Sequence, residues 1–108
     1  MDPRINKAVE FINSNIYKNL KMQEISHISY LSYRYFSKLF KKEMGICFSK
    51  YIIKIRIKEA KSLLKNDLLS IKEISYKVGY KHVSNFNHEF RRQTGLSPTK
   101  YRNYLKKM

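Results

Sequence analysis

Apolar residues recur every three or four positions along most of the chain, which is the spacing of one face of an α-helix. The first stripe comprises Ile5, Val9, Ile12 and Ile16, and it follows Asp2-Pro3, a cap residue with proline in the first turn. Residues 48–65 contain neither Gly nor Pro and carry isoleucine and leucine at the same spacing. The pattern therefore predicts helices, including one long helix in the middle of the chain.

The chain also contains an internal repeat. Glu24-Ile25-Ser26 returns as Glu73-Ile74-Ser75, and Phe36-x3-Phe40 returns as Phe86-x3-Phe90. The offset is 49 residues for the first pair and 50 for the second, so one residue is inserted between them, where a turn tolerates it. The correspondence continues through Gly45 and Gly95, Ser49 and Thr99, and Tyr51 and Tyr101.

Each copy predicts a short helix, a tight turn and a second helix. In the second copy, Ser70-Ile71-Lys72-Glu73 is a capping-box sequence that starts a helix running to about residue 78. Gly79 allows the sharp turn, and Gly95 ends the second helix. The first copy has Lys21 at the cap position and Tyr30 at the position of the turn glycine. We therefore expect its first helix and turn to be the less stable pair.

These elements predict an all-α fold. With a last helix that begins at Ser97-Pro98, we count seven helices and no strand, arranged as two helix-turn-helix subdomains joined by a long central linker helix. The expected parts are residues 1–47, the linker helix 48–65, and residues 66–108, which together form one composite domain. An 18-residue helix is about 27 Å long. It could hold two second helices roughly one duplex turn, about 34 Å, apart, so that a monomer covers an asymmetric site.

The net charge of the chain indicates what kind of partner it binds. The chain carries 23 Lys and Arg against 8 Asp and Glu, a net charge of +15. Residues 1–47 contribute +4 and residues 48–108 contribute +11. Such an excess favours a polyanion as partner, but it does not distinguish DNA from RNA or from anionic lipid.

Other function classes find little support in the sequence. No apolar run approaches the ~18 residues that cross a bilayer, and no signal peptide opens the chain. Cys47 is the only cysteine, so we expect no internal disulfide, no zinc site and a reducing, cytoplasmic setting. His27, His82, His88, Cys47 and Glu89 have no spacing typical of a metal site or a catalytic centre. We therefore expect no enzyme activity and no cofactor.

The second helix of each copy carries a polar face opposite its phenylalanines. On the first of these helices the face consists of Arg34, Ser37, Lys38 and Lys41. The repeat places Ser84, Asn87, His88 and Arg91 on the same side of the other helix. Arginine and lysine suit guanine acceptors and asparagine suits adenine, so we predict that these residues read DNA bases, with Lys41 and Arg91 assigned to phosphates. Further phosphate candidates at the helix ends are Lys42, Arg92, Lys50, Lys100 and Arg102.

Three alternatives remain open on these residues. In the first, the polar faces are ordinary solvated helix surface, and a non-specific helical RNA-binding or architectural protein explains the charge. A membrane-active helical protein is a further alternative, although the apolar stripes are needed to bury seven helices. An enzyme is the third, and the absence of catalytic spacing among the candidate groups counts against it.

The chain resembles the AraC/XylS family of bacterial transcription regulators over essentially its whole length. The motifs that carry the resemblance are Arg56-Ile57-x2-Ala60-x2-Leu63-Leu64, Ile71-x-Glu73-Ile74-Ser75-x2-Val78-Gly79-Tyr80, and Phe86-x3-Phe90-Arg91-Arg92-x2-Gly95-Leu96-Ser97-Pro98-x2-Tyr101-Arg102. The first copy departs from the family pattern at Tyr30, where a glycine is usual. Tyr33 and Tyr35 lie near this turn, and Tyr33 either contacts DNA or packs internally.

The resemblance implies a seven-helix domain that binds double-stranded promoter DNA and usually activates transcription through RNA polymerase. Family members are stand-alone activators of about this size or output domains of longer regulators with a sensor or receiver domain. The resemblance also implies a bacterial source, and we expect the isolated domain to be a monomer.

Overall fold

The computed structural model describes all of residues 1–108 and confirms the all-α fold, with seven helices and no strand. The helices are α1 (Pro3–Ser14), α2 (Met22–Ile28), α3 (Tyr33–Met44), α4 (Phe48–Leu63), α5 (Ile71–Lys77), α6 (Val83–Thr94) and α7 (Pro98–Lys106). None of them is long and apolar enough to cross a bilayer.

Local signals set most helix boundaries where the sequence predicts them. Pro3 and Pro98 occupy the first turns of α1 and α7, behind the cap residues Asp2 and Ser97. Gly45 and Gly95 end α3 and α6 in the left-handed conformation, with φ of 79° and 85°.

The α1 cap is reinforced by charge. The carboxylate of Asp2 accepts hydrogen bonds from the Arg4 side chain at 2.9 and 3.2 Å and from the Arg4 backbone N–H at 2.8 Å. These bonds, above all those from the guanidinium, lower the pKa of Asp2 to about 2. The backbone N–H of Asp2 donates to Glu43 Oε1 at 2.9 Å, which ties the start of α1 to the end of α3.

The two copies differ at their first helices. In α5, Ser70 Oγ accepts from the Glu73 N–H at 3.0 Å, and the Glu73 carboxylate accepts from the Ser70 N–H at 3.5 Å, which completes the predicted capping box. In α2, Lys21 occupies the cap position and makes no such bond. The first helix of the first copy therefore lacks the side-chain cap hydrogen bonds that α5 has.

The central helix is shorter than predicted. It ends at Leu63, two residues before the expected end at residue 65. The N–H groups of Lys65 and Asn66 donate to the carbonyls three residues earlier, Ser62 and Leu63, at 3.3 and 3.0 Å. This tighter winding at a helix end replaces the last α-helical turn.

Aromatic rings form the core of each copy. In the first, Phe40 lies between Phe36, Phe48 and Tyr51, with ring centroids 5.6–5.7 Å apart. In the second, Phe86 and Phe90 are 5.7 Å apart, and Phe90 meets Tyr101 at 5.3 Å. The Phe90–Tyr101 contact is the repeat equivalent of Phe40–Tyr51, so the repeat in sequence is also a repeat in packing.

The repeated serines are buried between the helices of each copy. Ser26 Oγ donates to the Gln23 carbonyl at 2.8 Å, and Ser75 Oγ donates to the Lys72 carbonyl at 2.7 Å. Each hydroxyl is satisfied within its own helix, so a small polar residue is buried without the cost of an unpaired donor.

Tyr80 and Arg56 form a polar contact beside the second core. The Arg56 guanidinium lies over the Tyr80 ring, 5.7 Å from its centroid, and the ring packs against Phe86. Burial lowers the pKa of Arg56. Burial also raises the pKa of Tyr80 to about 12, helped by the negative charge of Glu89. The ring is thus held neutral under the cation.

The chain divides into two compact units, Met1–Ile55 and Arg56–Met108, with the boundary inside α4. Each unit therefore contains one copy of the repeat and one part of the central helix. The division of the chain into residues 1–47, a linker helix 48–65 and residues 66–108 stays a prediction.

Tyr30 adopts a backbone conformation that favours glycine. Its φ is 58°, and it is the only non-glycine residue with a positive φ. Gly79 has φ 105° at the equivalent point of the second copy, and both turns continue with a hydrogen bond to the buried serine carbonyl, from Leu31 to Ser26 and from Tyr80 to Ser75. The Tyr30 side chain is 89% exposed, so little packing compensates the strain.

We predict that Tyr30→Gly is more stable than Tyr30→Ala by about 1 kcal/mol, because both remove the ring but only alanine keeps a Cβ in the left-handed conformation. Denaturant unfolding of the two variants measures this difference. Equal stability would mean that the turn relaxes without strain.

We predict that Phe90→Ala or Phe40→Ala lowers the free energy of unfolding by about 3–5 kcal/mol, since both rings are fully buried. Tyr104→Ala is the control, because its ring is exposed, and it should change stability by less than about 0.5 kcal/mol. Similar melting curves for Phe90→Ala and the control would contradict the core described above.

Candidate nucleic-acid interface

The polar face of α3 consists of Arg34, Ser37, Lys38 and Lys41. The opposite side of the helix is buried through Phe36, Leu39 and Phe40. Arg34, Lys38 and Lys41 are consequently exposed, and Ser37 is partly buried.

The polar face of α6 consists of Ser84, Asn87, His88 and Arg91, and all four side chains are exposed. Phe86 and Phe90 are the buried residues of this helix. The structure thus brings together each set of four predicted residues on a single helix surface. Within the chain, no hydrogen bond or ion pair engages these eight side chains, so they are free to bind a partner.

The acidic residues of the two helices lie away from these faces. At about 100° per residue, Glu43 is displaced by about 140° from Lys38, and Glu89 by about 100° from His88. Glu43 accepts from the Asp2 N–H, and Glu89 accepts from Gln93 at 3.2 Å and pairs loosely with Arg92 at 3.9 Å. Both polar faces therefore carry positive charge without a neighbouring carboxylate.

Four of the predicted phosphate contacts at the helix ends are exposed. Lys42 and Arg92 occupy the last turns of α3 and α6, and Lys50 and Lys100 occupy the first turns of α4 and α7. Positive side chains at these points suit the sugar-phosphate backbone, which borders the major groove on both sides.

Arg102 differs from the other four, because its guanidinium is engaged within the chain. Its guanidinium donates to the carbonyls of Leu64 at 3.0 Å, Asn66 at 3.1 Å and Leu69 at 2.7 Å. Asp67 lies 3.9 Å from its Nε, and the side chain is only 14% exposed. The Nε and Nη2 donors of Arg102 thus hold the loop between α4 and α5.

We predict that Arg102→Ala destabilises the protein by about 2–3 kcal/mol, because the carbonyls lose charged donors. Arg102→Lys should recover only part of this, since an ammonium group cannot reproduce the planar fork. Urea unfolding measures both. A stable alanine variant that instead binds duplex with a smaller salt dependence would restore Arg102 to the phosphate contacts.

Three tyrosines surround the turn before α3. Tyr33, on the first turn of α3, is half exposed, so it is not packed internally. Tyr35 and Tyr30 lie under the cations of Arg4 and Lys7, at 5.8 and 5.7 Å.

Two residues beside α6 are not among the candidates predicted from the sequence. Lys72 on α5 and Thr99 on α7 line an open groove of about 540 Å³ together with Asn87, His88 and Arg91. Helical periodicity relates residues within one helix and gives no sign of which residues of other helices lie next to them.

No group of three His, Cys, Asp or Glu side chains is placed to hold a metal ion.

A protein-family model described as a helix-turn-helix domain matches residues 25–104, about three quarters of the chain. This chain belongs to the AraC-type helix-turn-helix family. The regulatory protein PocR of Salmonella typhimurium is 33% identical over 104 residues, which are 96% of this chain and 34% of that protein. The lactose operon transcription activator of Staphylococcus xylosus is 32% identical over 94% of this chain and 36% of its own length. The chain thus spans about a third of these relatives.

Solved structures have the same fold. The C-terminal domain of AraT, a response regulator from Geobacillus stearothermophilus, has a TM-score of 0.91 and 31% identity, covering 95% of this chain and 86% of that domain. The DNA-binding domain of AdpA, a global transcriptional factor solved in complex with a target DNA, has a TM-score of 0.89. It is 24% identical over 94% of this chain and 91% of that domain, a likeness of fold.

Proposed function

We propose that this chain binds double-stranded DNA sequence-specifically and regulates transcription, with α3 and α6 each inserted in a major groove. The observation that carries the proposal is the pair of equivalent polar faces, each opposite a buried phenylalanine pair and each without a partner inside the chain. An α-helix fits the major groove, and side chains on its exposed face reach the base edges.

The side chains on the two faces suit different bases. Arg34 and Lys38 can donate to the O6 and N7 acceptors of guanine, and Asn87 can make a paired contact with adenine. Ser37, Ser84 and His88 offer single hydrogen bonds. Because the two faces differ in chemistry, the chain would recognise two unlike segments, and its DNA site would be asymmetric.

A second group of residues would position the chain on the backbone. Lys41, Lys42 and Lys50 belong to the first unit, and Arg91, Arg92 and Lys100 belong to the second. Such contacts contribute affinity that depends on salt but not on sequence.

The regulatory role is inferred from the relatives. An activator is among them, and the C-terminal domain of AraT, a response regulator, has the same fold. We infer that this chain activates transcription in a bacterial cytoplasm through contact with RNA polymerase, as a monomer or as the output domain of a longer regulator with a sensor or receiver domain. The chemistry resides in binding alone, without catalysis or cofactor.

Selection of bound sequences from a random duplex pool tests the proposal. We expect an asymmetric consensus with two separated segments. Competition with unrelated duplex and with RNA is the companion measurement, since equal competition by both would favour a non-specific basic binder.

We predict that Arg34→Ala or Lys38→Ala weakens binding to the selected site by about 1–3 kcal/mol and relaxes the preference at one base position. Lys42→Ala or Arg92→Ala should weaken binding to all sequences alike, because phosphates are the same in every sequence. Fluorescence anisotropy on matched and mismatched duplexes separates the two effects. Uniform weakening by all four variants would contradict the assignment of base-reading residues.

A further inference from the structure

The groove beside α6 is built from three helices of the second unit. Lys72 comes from the first turn of α5, Thr99 from the first turn of α7, and Asn87, His88 and Arg91 from the polar face of α6. Its wall is thus partly the surface proposed to enter the DNA, so whatever occupies the groove lies directly beside the bases that α6 reads.

The charge of the groove is positive and unbalanced. Lys72 and Arg91 contribute two cations, and no Asp or Glu lines the groove. The nearest carboxylates along the chain are already bound, Glu73 in the α5 capping box and Glu89 to Gln93 and Arg92. Neither Lys72 nor Arg91 has an ion pair or side-chain hydrogen bond within the chain. Two free cations with a hydroxyl and an amide nearby favour a phosphate oxygen as ligand.

The shape of the groove favours a polymer over a small molecule. Its volume of about 540 Å³ lies within the range of small-molecule pockets, but those sites enclose most of their ligand. Here five of the six polar lining residues are exposed, all except Ser97, so the groove is open to solvent. A continuous strand can lie across such an opening, whereas a free anion there would keep most of its contact with water.

The first unit lacks the cation that defines this groove. By the repeat offset, Arg91 corresponds to Lys41 and Thr99 to Ser49, but Lys72 corresponds to Gln23. The charge at this position is therefore a property of the second unit alone, which also carries most of the chain's net charge.

We propose that the groove between α5, α6 and α7 holds a backbone phosphate of the DNA strand next to the bases read by α6, with Lys72 and Arg91 as its cationic partners and Thr99 as a further donor. The inference rests on the proposed DNA-binding function. This contact would fix the orientation in which α6 enters the major groove of the DNA. The first unit does not possess it.

The first test compares Lys72→Gln with Lys107→Gln on the selected duplex. Both variants remove one positive charge, but Lys107 lies beyond the far end of α7, about 12 Å or more from Thr99 at 1.5 Å per residue. Loss of one phosphate contact should reduce the slope of log affinity against log salt by about 0.9. The affinity lost relative to wild type should then be roughly fivefold greater at 0.15 M salt than at 1 M salt. Lys72→Arg should retain the wild-type slope, and Lys107→Gln should leave it nearly unchanged.

The second test locates the phosphate. Single uncharged methylphosphonates are placed along each strand of the duplex, and their effects are measured with wild-type protein and with Lys72→Gln. At one position, neutralisation should weaken the wild type several-fold and cause little further loss in Lys72→Gln, because the contact is already absent. Lys72 is exposed and its side chain has no partner, so circular dichroism should give the same fold for both proteins.

The outcomes distinguish failure of the phosphate contact from failure of the proposed DNA-binding function. Independent losses at every methylphosphonate position, or equal slopes for Lys72→Gln and wild type, would overturn the phosphate contact while leaving sequence-specific binding intact. Inorganic phosphate that shifts Lys72 resonances in the free protein, without coupling to any methylphosphonate, would assign the groove to a free anion and overturn the inference. Failure of the wild type to prefer any duplex sequence would overturn the proposed function together with it.

Discussion

Two phenylalanine rings, four residues apart on one side of a twelve-residue helix, must be buried away from water. This requirement determines the packing of both units. In α3 and in α6 the rings are fully buried, and the second ring of each pair, Phe40 or Phe90, packs against a tyrosine of the helix that follows. Once that side is fixed inward, helical geometry leaves the residues opposite no place except solvent. A polar face without partners inside the chain is thus a direct consequence of the core, and the same packing that stabilises each unit exposes the face proposed to bind DNA.

The two units apply this plan with different local solutions. The second has the capping box at Ser70 and glycine in its turn, whereas the first has an uncapped Lys21 and a tyrosine in the left-handed conformation. The second also carries the groove at Lys72, where the first has the neutral Gln23. The second unit therefore has the better-capped first helix and the larger share of the positive charge.

The sequence predicted those features whose causes lie within a few residues of each other. Caps at Asp2, Ser70 and Ser97 and stops at Gly45 and Gly95 gave the helices, and the repeat offset placed the two polar faces. Features that depend on distant residues were missed. Arg102 was assigned to phosphate because it is basic and near a helix end, but its partners are carbonyls 33–38 positions earlier, which no local pattern indicates. The early end of α4 belongs to the same loop, and the groove at Lys72 arises only when three helices meet.

The Arg102 contact also bears on the order in which the protein takes shape during synthesis. The loop carbonyls at Leu64, Asn66 and Leu69 leave the ribosome more than thirty residues before the side chain that binds them. The first unit has all of its residues earlier, and domains generally fold as they emerge. The second unit must wait, with its connecting loop unsecured, until α7 is translated, so a ribosome that stalls in the last helix would leave one half folded and the other open to proteases.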